Sequence, residues 1–320
     1  MIKSYLKIAF RNLVKNKSFL GINVMGLALG ITCGLGIYMI VRYEFSFDTF
    51  YPNHDKIFRV VSDFHYPEGD QYSSGVPFPL PASLKADLPE IRHIATIFGG
   101  INNQLDILNP GSRASEKKFI VKSGVFYANP DFFQMFNFKW ISGDPKTILS
   151  NPNTIVFTRQ MAEDYFGTWQ NAMGKMIRKD NNETLIVSGI LENPPLNTDF
   201  QFKAVISYVT LLESAYAKPL LTNWGTSSSS AQCYISLPDK QDEHHIARQM
   251  LSLRKKYFGD DDKIDYFSLQ PLNDVHFNMN YGNFNYTISR TTLYSLSVIG
   301  ILLLTLACIN FYKSGYRSGR

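Results

Sequence analysis

The chain has 320 residues, 45% hydrophobic and 18% charged, with a formal net charge of +5. That basic excess does not point to nucleic acid, because Lys3, Lys7, Arg11, Lys15 and Lys17 precede the first apolar run, Lys313, Arg317 and Arg320 follow the last, and the remainder is near −3. Cys33 and Cys308 fall inside apolar runs and only Cys233 lies between them, so the intervening stretch can form no internal disulfide and has to hold together by its core.

Residues 1–17 place Lys3, Lys7, Arg11 and Lys15 at i, i+4 spacing beside a stripe of Ile2, Leu6, Phe10, Leu13 and Val14. This predicts a basic amphipathic helix lying at the inner membrane surface, with lipid as its partner. Residues 18–41 carry no charge and are bounded by Lys17 and Arg42. At about 1.5 Å per residue such a run is long enough for a hydrocarbon core of about 30 Å, so it is expected to be a transmembrane helix. It is too long for a typical signal-peptide core and lacks a small-residue exit. Gly26, Gly30 and Gly34 recur every four residues and form a groove for close helix packing, against either the second span or another subunit.

Ile57 to Tyr66 alternates and predicts a strand; Pro77, Pro79 and Pro81 mark a loop before a short helix near Ala82 to Leu88 and an apolar strand over Ile91 to Phe98. Hairpins follow over Gly99 to Tyr127, with Asn109-Pro110-Gly111 as a turn, and then an aromatic helical turn over Pro130 to Phe138 that belongs in a core. Strands are expected over Thr154 to Phe157, Glu183 to Leu191, Phe202 to Tyr208, Gln232 to Leu237 and Tyr266 to Leu272. Helices are expected over Arg159 to Phe166 and over Asp242 to Phe258, where Ile246, Met250, Leu253 and Tyr257 share a face. A second charge-free run over 291–312 completes a layout in which 42–290 lies on one side of a membrane, and the flanking cations put both ends in the cytoplasm. Residues 313–320 form a short cytoplasmic tail.

Catalytic patterns are missing. Gly167 to Met176 ends in Gly-Lys like a phosphate-binding loop, but Gly167 is seven residues before Gly174, and Met176 stands where Ser or Thr would hold magnesium. The six histidines are scattered and read as surface residues, and Asp260, Asp261 and Asp262 lack calcium-loop spacing. No enzyme activity, metal or cofactor is expected from the chain itself.

IAFRNLVKNKSFLGINVMGLALGI followed by YEFSFDTFYPNHDKIFRVV resembles the opening of MacB/FtsX-like ABC transporter permeases. NPDFFQMFNFKWISGDP, NTIVFTRQMAEDYFG, MGK, GILENPPLNTDFQF, LQPLNDVHF and LLLTLACINF continue the likeness in order. The resemblance implies a membrane-anchored α+β protein of the bacterial inner membrane. Its two transmembrane helices would flank a periplasmic core domain made of a porter-like α+β subdomain, built from both ends of the loop, and an inserted β-rich subdomain. It implies a permease subunit portion that works with a separate ABC ATPase, dimerises with itself or with a related permease subunit, and engages an adaptor outside. ATP-driven closure would pass along the helices as a mechanical stroke, for export of antibiotic, peptide or lipoprotein. The acidic-aromatic step through Glu44, Phe45 and Asp48 would then join the first helix to the outer domain as a stalk. Family members continue past the ACINF step into an ATPase-docking helix and further spans, whereas this chain stops at YKSGYRSGR; an amino-terminal portion unable to stimulate an ATPase alone is the expectation. The alternative reading is an extracytoplasmic sensing or binding module, or a regulator of cell-wall hydrolases.

Overall fold

A computed structural model describes residues 17–99, 103–108, 115–144, 146–239, 242–258 and 266–318. The expected amphipathic helix with Lys3, Lys7, Arg11 and Lys15, and the expected turn at 109–111, lie outside the described residues. The chain forms two compact units, one of 1–46 with 288–320 and one of 47–287.

The first unit holds α1 (Lys17–Glu44), and its second long helix runs over Arg290–Ser318. Each contains a 24-residue apolar stretch, with mean hydropathy 2.1 and 2.2 in its most apolar window, which is long enough to cross a membrane. The helices run antiparallel: Gly30 faces Ala307, Gly34 faces Leu304 and Ile37 faces Gly300, so residue numbers rise on one as they fall on the other. Ile22, Met25, Leu29, Met39, Ile301 and Leu306 remain exposed on this pair.

The second unit is organised around one hydrogen-bonded sheet. Its described strands are β1 (Ile57–Tyr66), β2 (Gly69–Ser73), β3 (His93–Phe98), β4 (Asn103–Leu108), β5 (Ser115–Val121), β6 (Val125–Ala128), β7 (Trp140–Ser142), β8 (Thr154–Thr158), β9 (Met176–Lys179), β10 (Glu183–Leu191), β11 (Ala204–Ser207), β12 (Ala231–Ser236) and β13 (Tyr266–Pro271). Its described helices are α2 (Leu80–Asp87), α3 (Pro130–Phe136), α4 (Arg159–Phe166), α5 (Trp169–Ala172), α6 (Tyr208–Glu213), α7 (Glu243–Phe258) and α8 (Leu272–Val275); the long helix of the first unit is then α9.

At one end of the sheet the order β13-β1-β12-β3 is antiparallel throughout. Helix α2 joins β1 to β3 and α7 joins β12 to β13, the connectivity of a split βαβ unit. Strand alternation explains how both faces are filled. Phe58 and Val60 of β1 pack with Leu80 and Leu84 of α2 and with Ile246, Met250 and Leu253 of α7. Ile57, on the opposite face, packs with the aromatic residues of α3. Between β3 and β12 the chain makes a long β-rich excursion whose strands continue the same sheet through β6, β11, β8, β10, β9, β4 and β5. The β11–β6 and β10–β8 pairs are parallel, and α4 covers this part with Met161 and Ala162.

Local chemistry sets the helix ends. The Asn129 side chain caps α3 by accepting from Phe132 N at 3.3 Å, Pro130 supplies a fixed φ in the first turn, and Asn137 (φ 48°) ends the helix. Thr158 caps α4 through Met161 N, and Gly167 (φ 80°) closes it by donating to Glu163 O. The four Phe of 130–138 are buried, packed as tilted and edge-on rings against Phe200, Phe202 and Tyr51, and so belong to the core.

Two expectations change, and three strands are not foreseen. The strand expected over Phe202 to Tyr208 spans only Ala204–Ser207, because Tyr208 already begins α6. The exposed strand β2 and the short β7 and β9 escape periodicity, since polar GDQYS has no apolar face and three or four residues carry no period. His276 is not a surface residue; it is 2% exposed and stacks on Phe47 with ring centroids 3.6 Å apart.

Candidate functional site

The residues joining α1 to the second unit turn sharply. Phe45 N donates to Val41 O at 3.0 Å and Ser46 Oγ to Tyr43 O at 2.6 Å, which finishes the helix just beyond Glu44. The Phe45 ring lies 6.0 Å from that of Tyr294 in α9, within the first unit. Asp48 then adopts a left-handed backbone (φ 55°), which a short polar side chain tolerates better than most.

Within the second unit Asp48 is 1% exposed and is held by the loop 197–199. Its N–H donates to Asn197 O at 3.0 Å, and its carboxylate accepts from the Thr198 hydroxyl and from Asp199 N. Thr198 Oγ1 also pairs with the Tyr51 hydroxyl at 2.7 Å. The returning chain, ahead of α9, is fastened to the same loop: Asn285 N donates to Asp199 Oδ1 at 3.1 Å and Asn285 Nδ2 to Thr198 O at 3.3 Å.

Arg59 completes the cluster from near the start of β1. It stands opposite Tyr234 of β12 and Gln270 of β13, so the three side chains share a sheet face. Its Nε and Nη2 donate to Gln270 Oε1 at 2.9 and 2.6 Å, and Nη2 also to Gly282 O at 2.9 Å. Two carboxylates and one guanidinium are therefore fully buried together. Burial pushes Asp48 up to about 7, reinforced by the Asp199 charge and opposed by the Thr198 and Asp199 N–H donors. Burial likewise raises Asp199 to about 6, held back by the Arg59 cation and by backbone donors at Asn285 and Phe284. Asp199 Oδ2, Arg59 Nη1 and Gln270 Nε2 have no protein hydrogen-bond partner among the described residues. Within the second unit the cluster ties the segments around Asp48 and Asn285 to the single loop 197–199.

Of the sequence-predicted residues, Asp48 lies in this cluster, Glu44 is the last residue of α1 and Phe45 follows it. Thr198, Asp199, Asn285 and Arg59 escape the sequence reading. The available signal is Arg59 itself, a cation inside the apolar run IFRVV, which must find buried partners. No group of three or more His, Cys, Asp or Glu side chains among the described residues is arranged to hold a metal. Gly167 to Met176 holds the short helix α5 and then a turn into β9, with Gly174 at φ 75° and its N–H bonded to Val187 O.

The three glycines of α1 differ. A Cβ on Gly30 would stand 2.5 Å from Ala307 Cβ, and one on Gly34 would stand 2.6 Å from the Leu304 side chain, whereas one on Gly26 meets nothing within 4 Å. Gly30→Leu is therefore expected to lower the thermal stability of the helix pair by about 1–3 kcal/mol through overpacking, and Gly26→Leu to change it by less than about 0.5 kcal/mol. Equal melting shifts of the two variants in detergent would remove the assignment of Gly30 to the α1–α9 contact.

The family described as MacB-like periplasmic core domain matches residues 20–253. A crystallised domain assigned to a permease protein of Porphyromonas gingivalis is similar in fold at TM-score 0.56 and 18% identity, covering 77% of this chain and 99% of that one. The periplasmic region of MacB from Actinobacillus actinomycetemcomitans aligns at TM-score 0.45 and 13% identity over 68% of this chain and 90% of that one. No curated protein matches the chain.

Proposed function

Because the chain belongs to the MacB-like periplasmic core domain family, we propose that it is the permease portion of an ABC transporter that transmits the work of a separate cytoplasmic ATPase to a domain outside the inner membrane. In this reading residues 1–17 lie at the cytoplasmic surface, 18–41 and 291–312 cross the membrane, 42–290 form the periplasmic core domain and 313–320 return to the cytoplasm. The split βαβ end of the sheet is the porter-like subdomain, and the excursion between β3 and β12 is the inserted β-rich one. The permease pairs with a second copy or a related subunit, and an adaptor and an exported antibiotic, peptide or lipoprotein are met outside.

The observation that carries this reading is the cluster at Asp48. A stroke needs a stiff joint, and the chain leaving α1 and the chain approaching α9 are both hydrogen-bonded to residues 197–199. That loop runs directly into Phe200, which packs on Phe136 at 4.6 Å between ring centroids, so a shift at either helix reaches the core. Glu44, Phe45 and Asp48 act as the stalk junction, and Gly30 and Gly34 keep the two helices together as one lever.

Amide hydrogen exchange in proteoliposomes holding the full-length permease that contains this chain, together with its ATPase, tests this. Adding ATP is expected to change exchange across 192–202 and 45–51 in the parent and to leave those segments unchanged in Asp48→Ala. Identical ATP-dependent patterns in the two proteins would show that the stroke, if there is one, bypasses this joint.

A further inference from the structure

Beside α3, three neighbouring strands end around one cleft. Ile57 at the start of β1, Ser236 at the end of β12 and His93 at the start of β3 pair in a single row, so their side chains share a sheet face. It is the face that α3 covers, because Ile57 and Met135 belong to the same core cluster. That row, with Gln134 and Met135 of α3 and with Asn53, Lys56 and Arg92, lines an open cleft of about 240 Å³.

The charges around the cleft have one sign. Lys56, Arg92 and, when protonated, His93 line it, and among the described residues no Asp or Glu does. The sequence between the two basic ends carries a net charge near −3, so a cleft that merely sampled this surface would hold carboxylates as well. A recess walled by one sign of charge focuses its field and concentrates ions of the other sign. Lys56 is held in place, since its Nζ donates to Pro238 O at 2.9 Å and so spans from the turn at 54–56 to the end of β12. Arg92 is exposed and has no carboxylate partner among the described residues, which leaves its planar fork available. Asp131 stands 3.6 Å from His93 Nδ1, and its other oxygen accepts from Ile94 N at 3.2 Å, which turns it to the β3 backbone. Asp131 therefore answers His93, and the charge left facing the cleft is that of Lys56 and Arg92. Asp55 and Asp239 adjoin this site in sequence, and neither lines the cleft.

We propose that this cleft binds a phosphoryl group, either as free phosphate or as a phosphate monoester. Two cations match a group that carries close to two negative charges at neutral pH. The Arg92 fork suits two phosphoryl oxygens at once, and Lys56 serves a third as a point charge. Asn53, Gln134 and Ser236 bring amide and hydroxyl donors to a ligand whose oxygens all accept. A carboxylate, with one charge and two oxygens, would leave one of the cations unanswered. The cleft lies wholly within residues 47–287 and stands whether or not the two long helices cross a membrane.

Calorimetric titration of the full chain in detergent, at pH 8 and at an ionic strength held constant with sodium chloride, tests this. Three probes carry the same group: inorganic phosphate, glycerol 3-phosphate and dihexanoyl phosphatidic acid. Saturable binding of inorganic phosphate is expected, weakened by about tenfold or more in Arg92→Ala and in Lys56→Ala and unchanged in Lys122→Ala, which removes an exposed cation outside the cleft. Neither Lys56 nor Arg92 is buried, so both variants should melt with the parent, and loss of binding then reports the site and not the fold. Tighter binding of glycerol 3-phosphate than of phosphatidic acid supports the site with a soluble ligand, and the reverse order supports it with a lipid headgroup. Acetate binding as tightly as phosphate overturns the phosphoryl assignment. Absence of phosphate binding by the parent, or an equal loss in Lys122→Ala, overturns the site.

Discussion

Replacing Arg59 with alanine is expected to destabilise residues 47–287 by about 3–5 kcal/mol at neutral pH, the cost of leaving a buried charge without its partner. In a unit of this size about 2–4 °C of melting temperature accompanies each kcal/mol, so a fall on the order of 10 °C should be seen for the full chain in detergent. Arg59 is fully buried, and three effects of its loss add. Gln270 Oε1 and Gly282 O lose their donors. Asp199 loses the cation that offsets its burial. A large buried side chain also leaves a void among Tyr234 and its neighbours. The first and third effects do not depend on pH, and the second does. Because Asp199 in the folded protein takes up its proton near 6, the penalty should shrink when the melt is repeated at pH 5, where that carboxyl is neutral with or without Arg59. Combining Arg59→Ala with Asp199→Asn should recover a substantial part of the loss at neutral pH, since the stranded charge is then removed. Lys56→Ala, which removes only an exposed donor to Pro238 O, should stay within about 0.5 kcal/mol of the parent. If Arg59→Ala melted with Lys56→Ala, the guanidinium would be contributing nothing to the cluster.

Much of the fold can be read in the sequence where one physical signal dominates. Ile57 to Tyr66 and Glu183 to Leu191 are rich in apolar and β-branched residues and are flanked by turn residues, so their strand limits emerge at the right residues. TRQMAEDYFG declares its helix through a Thr cap and a terminal Gly. The charge-free runs declare the two long helices by length alone. What cannot be read is pairing. Nothing in the local pattern says that β6 joins β3 on one side and β11 on the other, which is what merges the excursion with the split βαβ strands into one sheet. The site suffers from the same limit. Asp48 can be singled out from its position after the first span, but its partners lie about 150 residues on at Thr198 and Asp199, and the second attachment comes from Asn285. The GILENPPLNTDFQF stretch belongs to the family likeness, yet only tertiary contact gives its Thr and Asp their roles. Likewise the i, i+4 glycines fix a helix face without saying how far down the helix its partner reaches, so Gly26 is indistinguishable from Gly30 until Ala307 is placed.

Asp48→Asn is expected to flatten the pH dependence of stability and to leave the protein more stable than the parent above pH 7. An unfolded Asp releases its proton near 3.9. In the folded protein Asp48 faces Asp199, Tyr51 and Thr198 in a buried site and releases its proton only near 7. Between those two values the folded state holds a proton that the unfolded state has lost, so the free energy of unfolding falls as pH rises, by up to about 1.4 kcal/mol per pH unit for each such group. Asp199 adds a second contribution of the same sign over a narrower window, from about 4 to about 6, because Arg59 opposes its shift. The stabilisation is therefore complete below about pH 4 and is lost as pH climbs through 7, the reverse of the behaviour of a salt-bridged carboxylate. An amide at position 48 keeps an acceptor for the Thr198 hydroxyl and for Asp199 N, cannot ionise, and removes the repulsion that Asp199 feels. Urea midpoints measured from pH 4 to pH 8 should then show variant and parent close together at pH 4 and diverging steadily to pH 7, with a residual slope in the variant confined to the Asp199 window. A difference that stays constant across the range would mean that Asp48 is ionised throughout, held by its donors against both burial and the neighbouring carboxylate, and the joint between helix and loop would have to be treated as a charged one.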